Sequence, residues 1–355
     1  MKEKKRPLLK KFSIENFTSI EKAEVVLSPL TVFIGPNNSG KTNFFRALDW
    51  FSQLVSENHS SPFAMKRKEE GYARYFHNFT SKKICLTCEY QGINNNQCLG
   101  LEIEEKETKI TMLEKDGNFI TGSSSSLLNG DATGDIREYF HHLRYFSLLP
   151  KIISASNNVF VNPEISSEGG NVTAVLDFLK GEHPDTFDKI EKELKQCVPE
   201  VERIILKNLA TNVKQIGIKE KSCDKPFIGS EISEGILLFI TLLAIIHQPD
   251  HAKIICLEEP EQHIHPRRLR SILDYLTDLA YHVAEPLQIL ISTHSPYILN
   301  HFKDRPEEVV IVDKKEGKTT FTSLLEHEYL LQDQKEELSL GELWFSGLIG
   351  GVPKP

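Results

Sequence analysis

Residues Gly35–Thr42 read Gly-Pro-Asn-Asn-Ser-Gly-Lys-Thr and follow directly on the apolar run Leu30-Thr31-Val32-Phe33-Ile34. This order predicts a buried strand, a phosphate-binding loop and a helix from about Asn43 to Leu54. Gly35 and Gly40 let the backbone curl so that its N–H groups face a polyphosphate, and Asn37, Asn38, Ser39 and Asn43 stand on the same loop and helix start. Lys41 brings a point charge to the β and γ phosphates, and the Thr42 hydroxyl suits Mg²⁺. Such a chain is expected to be α/β.

The 355 residues carry a formal charge of -8, with 39% hydrophobic and 26% charged residues, the balance of an ordinary soluble protein. The longest apolar candidate, Ile236 to Ile246, is interrupted at once by His247-Gln248-Pro249-Asp250, too soon for a membrane span. The basic start Met1-Lys2-Glu3-Lys4-Lys5-Arg6 leads into Phe12-Ser13-Ile14-Glu15 rather than a signal-peptide core, so a cytoplasmic protein is expected. Six cysteines do not make a disulfide scaffold. Cys85 and Cys88 have CxxC spacing, but in a strand-like run they face opposite sides, which favours packed, reduced thiols over zinc. The acidic total argues against a chain covered in nucleic-acid-binding surface.

Between residues 83 and 120, short β-rich runs alternate with turn signals at Gly92–Asn96 and Lys115–Asn118, which predicts an antiparallel meander. The run Ser123–Ser126 with Asn129-Gly130-Asp131 reads as a small polar loop. From Asn171 to Cys197 the spacing of Leu176, Leu179, Phe187, Ile190 and Leu194 predicts two helices broken at Gly181 and Pro184, without the heptads of a coiled coil. Further on, Ile254–Leu257, Ile289–Ile291 and Val309–Val312 read as short buried parallel strands.

The strand Ile254–Leu257 runs into Glu258-Glu259-Pro260. Beside a bound nucleotide the first carboxylate would hold the metal or its water, and the second would orient the attacking water. The strand Ile289–Ile291 delivers Ser292-Thr293-His294-Ser295-Pro296 to its carboxyl end, where His294 could donate to a γ phosphate. Ile232-Ser233-Glu234-Gly235 precedes a helix, with Ser233 as N-cap and open first-turn amides for phosphate oxygens.

In this order the motifs resemble those of ATP-binding-cassette (ABC) ATPases. More narrowly, the chain resembles RecF-like and OLD-like (overcoming lysogenization defect) ATPases, relatives of the heads of structural-maintenance-of-chromosomes (SMC) proteins. The resemblance rests on Ile14–Ser19, Gly35–Thr42, Gly169–Val172 with Leu176, Ser233–Gly235, Glu258–Glu261 with His265-Pro266, and Ser292–Pro296. It implies a mainly parallel core sheet with an antiparallel β subdomain and a helical insertion. The expected organisation is a phosphate-loop lobe over 1–75, an antiparallel region over 76–130, a helical insertion over 131–215, and a lobe with the remaining motifs over 216–355. ATP and Mg²⁺ are the implied cofactors, and ATP hydrolysis the implied activity. Lys41, Glu259 and His294 would be catalytic, and Thr42 and Glu258 would hold metal. Ser233, Glu234 and Gly235 would complete the nucleotide site of a second copy in a homodimer or higher oligomer, and Glu261–His265 would connect the two sites.

Some features depart from the pattern. Glu258 stands where many members carry aspartate, the signature is Ile-Ser-Glu-Gly, and Gln91 is not placed in the site. Phe17 reads as core rather than an adenine platform. OLD nucleases carry a TOPRIM domain after the ATPase. Here Asp313, Glu326, Glu328 and Asp333 form no convincing acidic cluster, and His263 with His265 finds no third ligand. The expectation is therefore an ATPase that regulates a separately encoded nuclease or toxin in bacterial anti-phage defence, similar to the ATPase subunits of Septu and PARIS kinds of system. The alternative is a RecF-like clamp on duplex DNA, contacted through Lys2, Lys4, Lys5, Arg6, Lys10 and Lys11 and through Arg267, Arg268 and Arg270. A transporter subunit fits the motifs less well.

Overall fold

The apolar run before the glycine loop forms β3 (Leu30–Ile34), with all five residues buried. In the computed structural model the described residues are 6–56, 77, 83–92, 96–104, 108–113, 119–123, 134–159, 164–262, 264–283, 287–327 and 339–352. The polar loop expected after Ser123 lies outside them, as do His263, Glu328, Asp333, Lys2, Lys4 and Lys5. The chain divides into two compact units. The first comprises Met1–Tyr145, Lys253–Cys256 and Thr277–Pro355, and the second Phe146–Ala252 and Leu257–Leu276.

In the first unit β3 pairs in parallel with β14 (Gln288–Thr293) and β15 (Val309–Lys315). Together with β8 (Leu143–Phe146), β13 (Ile254–Glu258) and β16 (Lys318–Ser323) they form a six-stranded sheet in the order β16-β15-β3-β14-β13-β8. Near-continuous β-branched and leucine runs in β3 and β14 match strands covered on both faces. β16 returns antiparallel on β15. The pairing Ile34↔Thr293 puts the ends of β3 and β14 at one level, while Ile34↔Ile311 leaves β15 running four residues further.

A second six-stranded sheet is an antiparallel meander, as the turn signals predicted. Its order is β2-β1-β4-β5-β6-β7, from β1 (Leu8–Phe17), β2 (Ile20–Val26), β4 (Lys83–Gln91), β5 (Asn96–Glu104), β6 (Thr108–Leu113) and β7 (Phe119–Ser123). On β4, Cys88 is fully buried and Cys85 only partly, the alternation expected of a strand. Gln91 closes β4 opposite Asn96 and donates Nε2–H to Arg6 O at 3.1 Å.

The helix α1 (Lys41–Ser56) starts two residues earlier than the sequence suggests, because the N–H groups of Asn43 and Phe44 both bond to Gly40 O. Phe44, Phe45, Leu48, Trp50, Phe51 and Val55 give it a broad buried apolar face, and Asp49, Ser52 and Gln53 are buried as well. Phe44 packs on Phe12 at 5.7 Å and Phe33 at 4.6 Å between ring centroids, joining residues of both sheets in one core. Such rings carry much of a core's apolar burial, roughly 150–250 Å² each. Phe17 belongs to this core, edge-on to Trp50 at 5.5 Å and fully buried. The helix α2 (Gly134–His141) adds Ile136, Tyr139 and Phe140.

The second unit contains α3 (Pro150–Ile153), the expected pair α4 (Val172–Glu182) and α5 (Pro184–Cys197), and α6 (Glu234–His247). Ile236 to Ile246 are all buried, so this helix has no polar face. The second unit also holds the first part of α7 (Pro266–Tyr281). A hairpin of β10 (Val201–Ala210) and β11 (Val213–Glu220) forms its sheet with β9 (Asn157–Asn158) and β12 (Phe227–Ile228). Glu193 on α5 accepts from Tyr275 OH of α7 at 2.6 Å and meets His247 Nε2 of α6 at 2.6 Å. Burial pushes the Glu193 carboxyl up, but these two partners outweigh it and hold it below the usual range.

Candidate nucleotide site

The phosphate loop leaves the sheet at the level where β3 and β14 end, beside the continuing strand β15. Gly35 N–H donates to Thr293 O at 3.3 Å, so the loop and the segment carrying His294 start from one point. A Cβ at Gly35 would lie 2.1 Å from Val312 O, which ties the loop to β15 as well. His294 is the first residue beyond β14 and is exposed there. Asn38 (φ 64) and Gly40 (φ 110) supply the left-handed turns of the loop. Lys41 is buried, and its Nζ donates to Gly35 O at 2.7 Å and Pro36 O at 3.0 Å. The ammonium is thereby held over the hollow of its own loop.

Sequence reasoning missed a support beneath this loop. Thr319 on β16 is buried and donates its hydroxyl to Ser39 O at 2.8 Å. With that proton committed, Ser19 Oγ donates to Thr319 Oγ1 at 2.6 Å, and Asn43 Nδ2 donates to Ser19 Oγ at 2.8 Å. The chain Asn43–Ser19–Thr319–Ser39 therefore runs one way, and each bond polarises the next. It connects the helix start to the loop through a hairpin about three hundred residues away in sequence. No local pattern around Lys318-Thr319-Thr320 could have revealed it.

In the second unit, Glu258 ends β13 and has a buried Oε1 with no hydrogen-bonding partner among the described residues. Glu259 follows at φ 44, a left-handed conformation uncommon for residues other than glycine. Its carboxylate accepts a hydrogen bond from Gln262 Nε2, and its carbonyl accepts Gln262 N–H at 3.1 Å. Ser233 occupies the N-cap position of α6 but makes no side-chain cap bond, and both Ser233 and Glu234 are exposed, with Gly235 partly so. The structure thus brings Gly35–Asn43 and His294 together in the first unit. Glu258 and Glu259 share one turn of the second, and Ser233–Gly235 open α6.

The fit to a nucleoside polyphosphate and Mg²⁺ can be judged from atoms present. The loop has glycines where side chains would not fit, a buried lysine, and an orphaned buried Ser39 Oγ. A buried carboxylate oxygen without a partner costs free energy unless a cation or donor meets it, so Glu258 Oε1 suits a metal ion or its water.

The AAA_21 family model, described as "AAA domain, putative AbiEii toxin, Type IV TA system", matches residues 30–84 and 134–300, more than half of the chain. An OLD nuclease of Thermus scotoductus is 23% identical over 346 residues, covering 86% of this chain and 64% of the relative. The Old nuclease of Escherichia phage P2 is 23% identical over 354 residues, covering 81% of this chain and 56% of the relative. The chain therefore spans less than two thirds of either relative. Among solved structures, the SMC head domain of Pyrococcus furiosus bound to the C-terminal domain of ScpA superimposes with a TM-score of 0.58 at 13% identity, covering 93% of this chain and 100% of that one. The SMC head domain of Thermotoga maritima gives 0.52 at 13% identity, with coverage of 89% and 98%. At that identity the likeness is one of fold.

Proposed function

We propose that the chain, a member of the AAA_21 family, is an ABC-type ATPase of OLD and SMC-head kind that binds and hydrolyses ATP to govern a separately encoded effector. The observation that carries this reading is the bond from Gly35 N–H to Thr293 O, which starts the phosphate loop and the His294 segment from one sheet edge. Gly35–Asn43 would bind the polyphosphate through backbone N–H groups, with Lys41 exchanging its loop carbonyls for phosphate oxygens. Mg²⁺, when bound, supplies charge neutralisation of the phosphates. Thr42 and Glu258 would hold it. Glu259 would orient and deprotonate the attacking water, and His294 would donate to the γ-phosphate oxygens. The left-handed backbone at Glu259 supports this role, because such conformations cluster at functional sites.

Ser233, Glu234 and Gly235 are assigned to the nucleotide of a second copy, so that ATP joins two chains and hydrolysis releases them. Ser233 is exposed and makes no cap bond of its own, which leaves its hydroxyl open to a partner. The effector assigned is a nuclease or toxin of a bacterial anti-phage system, acting in the cytoplasm. The similarity to proteins named OLD nuclease supports a nuclease-linked role. Among the described residues no helix is long and apolar enough to cross a membrane.

The clamp on duplex DNA is the weaker reading. Lys11 pairs with Glu89 at 2.5 Å and Glu24 at 3.3 Å, and Arg268 pairs with Glu200. Basic side chains engaged in this way are less available to phosphates. Purifying tagged Glu259→Gln protein from its native host with ATP and Mg²⁺ separates the two. A stoichiometric nuclease or toxin-like protein supports the regulator, whereas duplex DNA with recombination proteins and a steep salt dependence supports the clamp.

A further inference from the structure

A short helix and a glycine turn near the carboxyl end of the described chain connect the two sides of the first unit's site. The helix α9 (Leu340–Phe345) opens on a capping box: Ser339 Oγ accepts Glu342 N–H at 3.3 Å, and Glu342 Oε2 accepts Ser339 N–H at 2.7 Å. Its residue Gly341 lies against α8 (Pro296–Leu299), the helix that starts two residues after His294. A Cβ there would come within 2.7 Å of Pro296 O, and Gly341 N–H donates to Asn300 Oδ1 at 2.6 Å.

The helix ends in a Schellman turn. Gly347 (φ 79) donates to Trp344 O at 2.9 Å, and Leu348 N–H donates to Leu343 O at 3.2 Å. The chain then doubles back through Ile349, which is buried, to Gly350 (φ 77) and Gly351 (φ 66). Gly351 rests on the root of the phosphate loop. A Cβ there would lie 2.8 Å from Ile311 Cγ2 and 3.6 Å from Ile34 O, the carbonyl just before Gly35. The buried Trp344 indole closes the arrangement by donating Nε1–H to Gly351 O at 2.9 Å.

One end of this segment therefore bears on the helix after His294, and the other on Ile311 of β15 beside Ile34, the residue that launches the phosphate loop. The first anchor is a backbone contact and the second a side-chain one, and both leave little room for a Cβ, so the spacing is stiff; close-packed interiors transmit displacement rather than absorb it. Simple coverage of a sheet end would account for a buried tryptophan. It would not require an indole–carbonyl bond across a turn of left-handed glycines with Gly351 packed on Ile311.

We propose that Trp344 and Gly351 are positioning residues for nucleotide hydrolysis, the segment Leu340–Gly351 acting as a strut that sets the separation of the phosphate loop from the His294 segment and shifts when a nucleoside triphosphate loads the loop. The proposal rests on the ATPase reading above.

The chain holds two tryptophans, and Trp50 lies in the core of α1. Adding ATP with Mg²⁺ to the wild-type protein changes tryptophan emission, and the change disappears in Trp344→Phe. In that variant turnover falls about 10-fold while the Kd for ATP stays within about 2-fold, as expected of a displaced catalytic geometry. Gly351→Ala gives the same split. The proposal is overturned if ATP binds and wild-type emission does not respond, if the response survives in Trp344→Phe, or if both variants turn over at the wild-type rate. ATP binding that is abolished in Lys41→Ala establishes separately that the underlying nucleotide reading holds. Failure of wild-type protein to bind ATP would remove that reading and the strut with it.

Discussion

Gly40 and Thr319 touch so closely that a Cβ on the glycine would lie 2.1 Å from the threonine hydroxyl oxygen. Gly40 also sits at φ 110, so two independent constraints, space and backbone sign, demand glycine here. Gly40→Ala is expected to destabilise the fold by roughly 1–3 kcal/mol and to weaken ATP binding strongly, read by thermal unfolding and calorimetry. Thr319→Val keeps the shape but removes the hydroxyl that links Ser39 to Ser19. A several-fold weaker ATP affinity with a stability loss of about 1–2 kcal/mol is expected, since Ser39 O loses its buried donor. Unchanged affinity in Thr319→Val would show that the loop holds its shape without the hairpin.

Glu259 combines a left-handed backbone with the role assigned to its carboxylate. Glu259→Gln is expected to bind ATP with near wild-type affinity, lose turnover by about 100-fold or more, and accumulate as an ATP-dependent dimer in size-exclusion chromatography. Glu259→Gly relieves the backbone and is expected to be as stable as wild type or up to about 1 kcal/mol more so, while also losing turnover. A Glu259→Gln protein that hydrolyses ATP normally would remove the residue from its role.

Ser233 stands at the N-cap of α6 without a cap bond. Replacing a working N-cap serine by alanine costs about 1 kcal/mol, whereas Ser233→Ala is expected to cost less than about 0.5 kcal/mol. Its effect should appear in assembly, as a loss of the ATP-dependent dimer formed by Glu259→Gln. A large stability loss with dimerisation intact would make Ser233 an ordinary cap.

Glu308 is buried immediately before β15, accepts a hydrogen bond from Tyr281 OH, and pairs with Arg305 at 3.2 Å. Burial raises its carboxyl to about 7, against the opposing pull of Tyr281 and Arg305. The folded state then binds a proton more tightly than the unfolded chain. Its stabilising contribution is complete below about 4.5 and is lost as pH rises through about 7. The loss is on the order of 3 kcal/mol. Denaturant titrations across that window should show a shallower decline in Glu308→Gln than in wild type. Identical pH profiles would place the titration elsewhere.

Much of the site's skeleton was legible because strand and loop signals are local. Leu30–Ile34, Ile254–Leu257 and Ile289–Ile291 announce buried strands by composition, and Gly35–Thr42 by its glycine and lysine spacing. The long hairpin of β10 and β11 was not read. Its exposed residues follow no clean alternation, although Asn212 at φ 57 marks its turn. Thr319, Trp344 and Gly351 escaped for a different reason. Their significance lies in contacts between distant parts of the chain, and neither a threonine in a charged hairpin nor a glycine pair near the end predicts its partner. The left-handed Glu259 likewise leaves no mark in its residue type.

On the ATPase reading Gly35–Thr42 binds ATP with Lys41 as the principal charge. Calorimetric titration of ATP with Mg²⁺ into wild-type protein and Lys41→Ala, with melting curves to establish that both are folded, decides this. Saturable binding by wild type and a loss of at least about 100-fold in affinity in Lys41→Ala is the predicted result. Equal affinities in two folded proteins would contradict it.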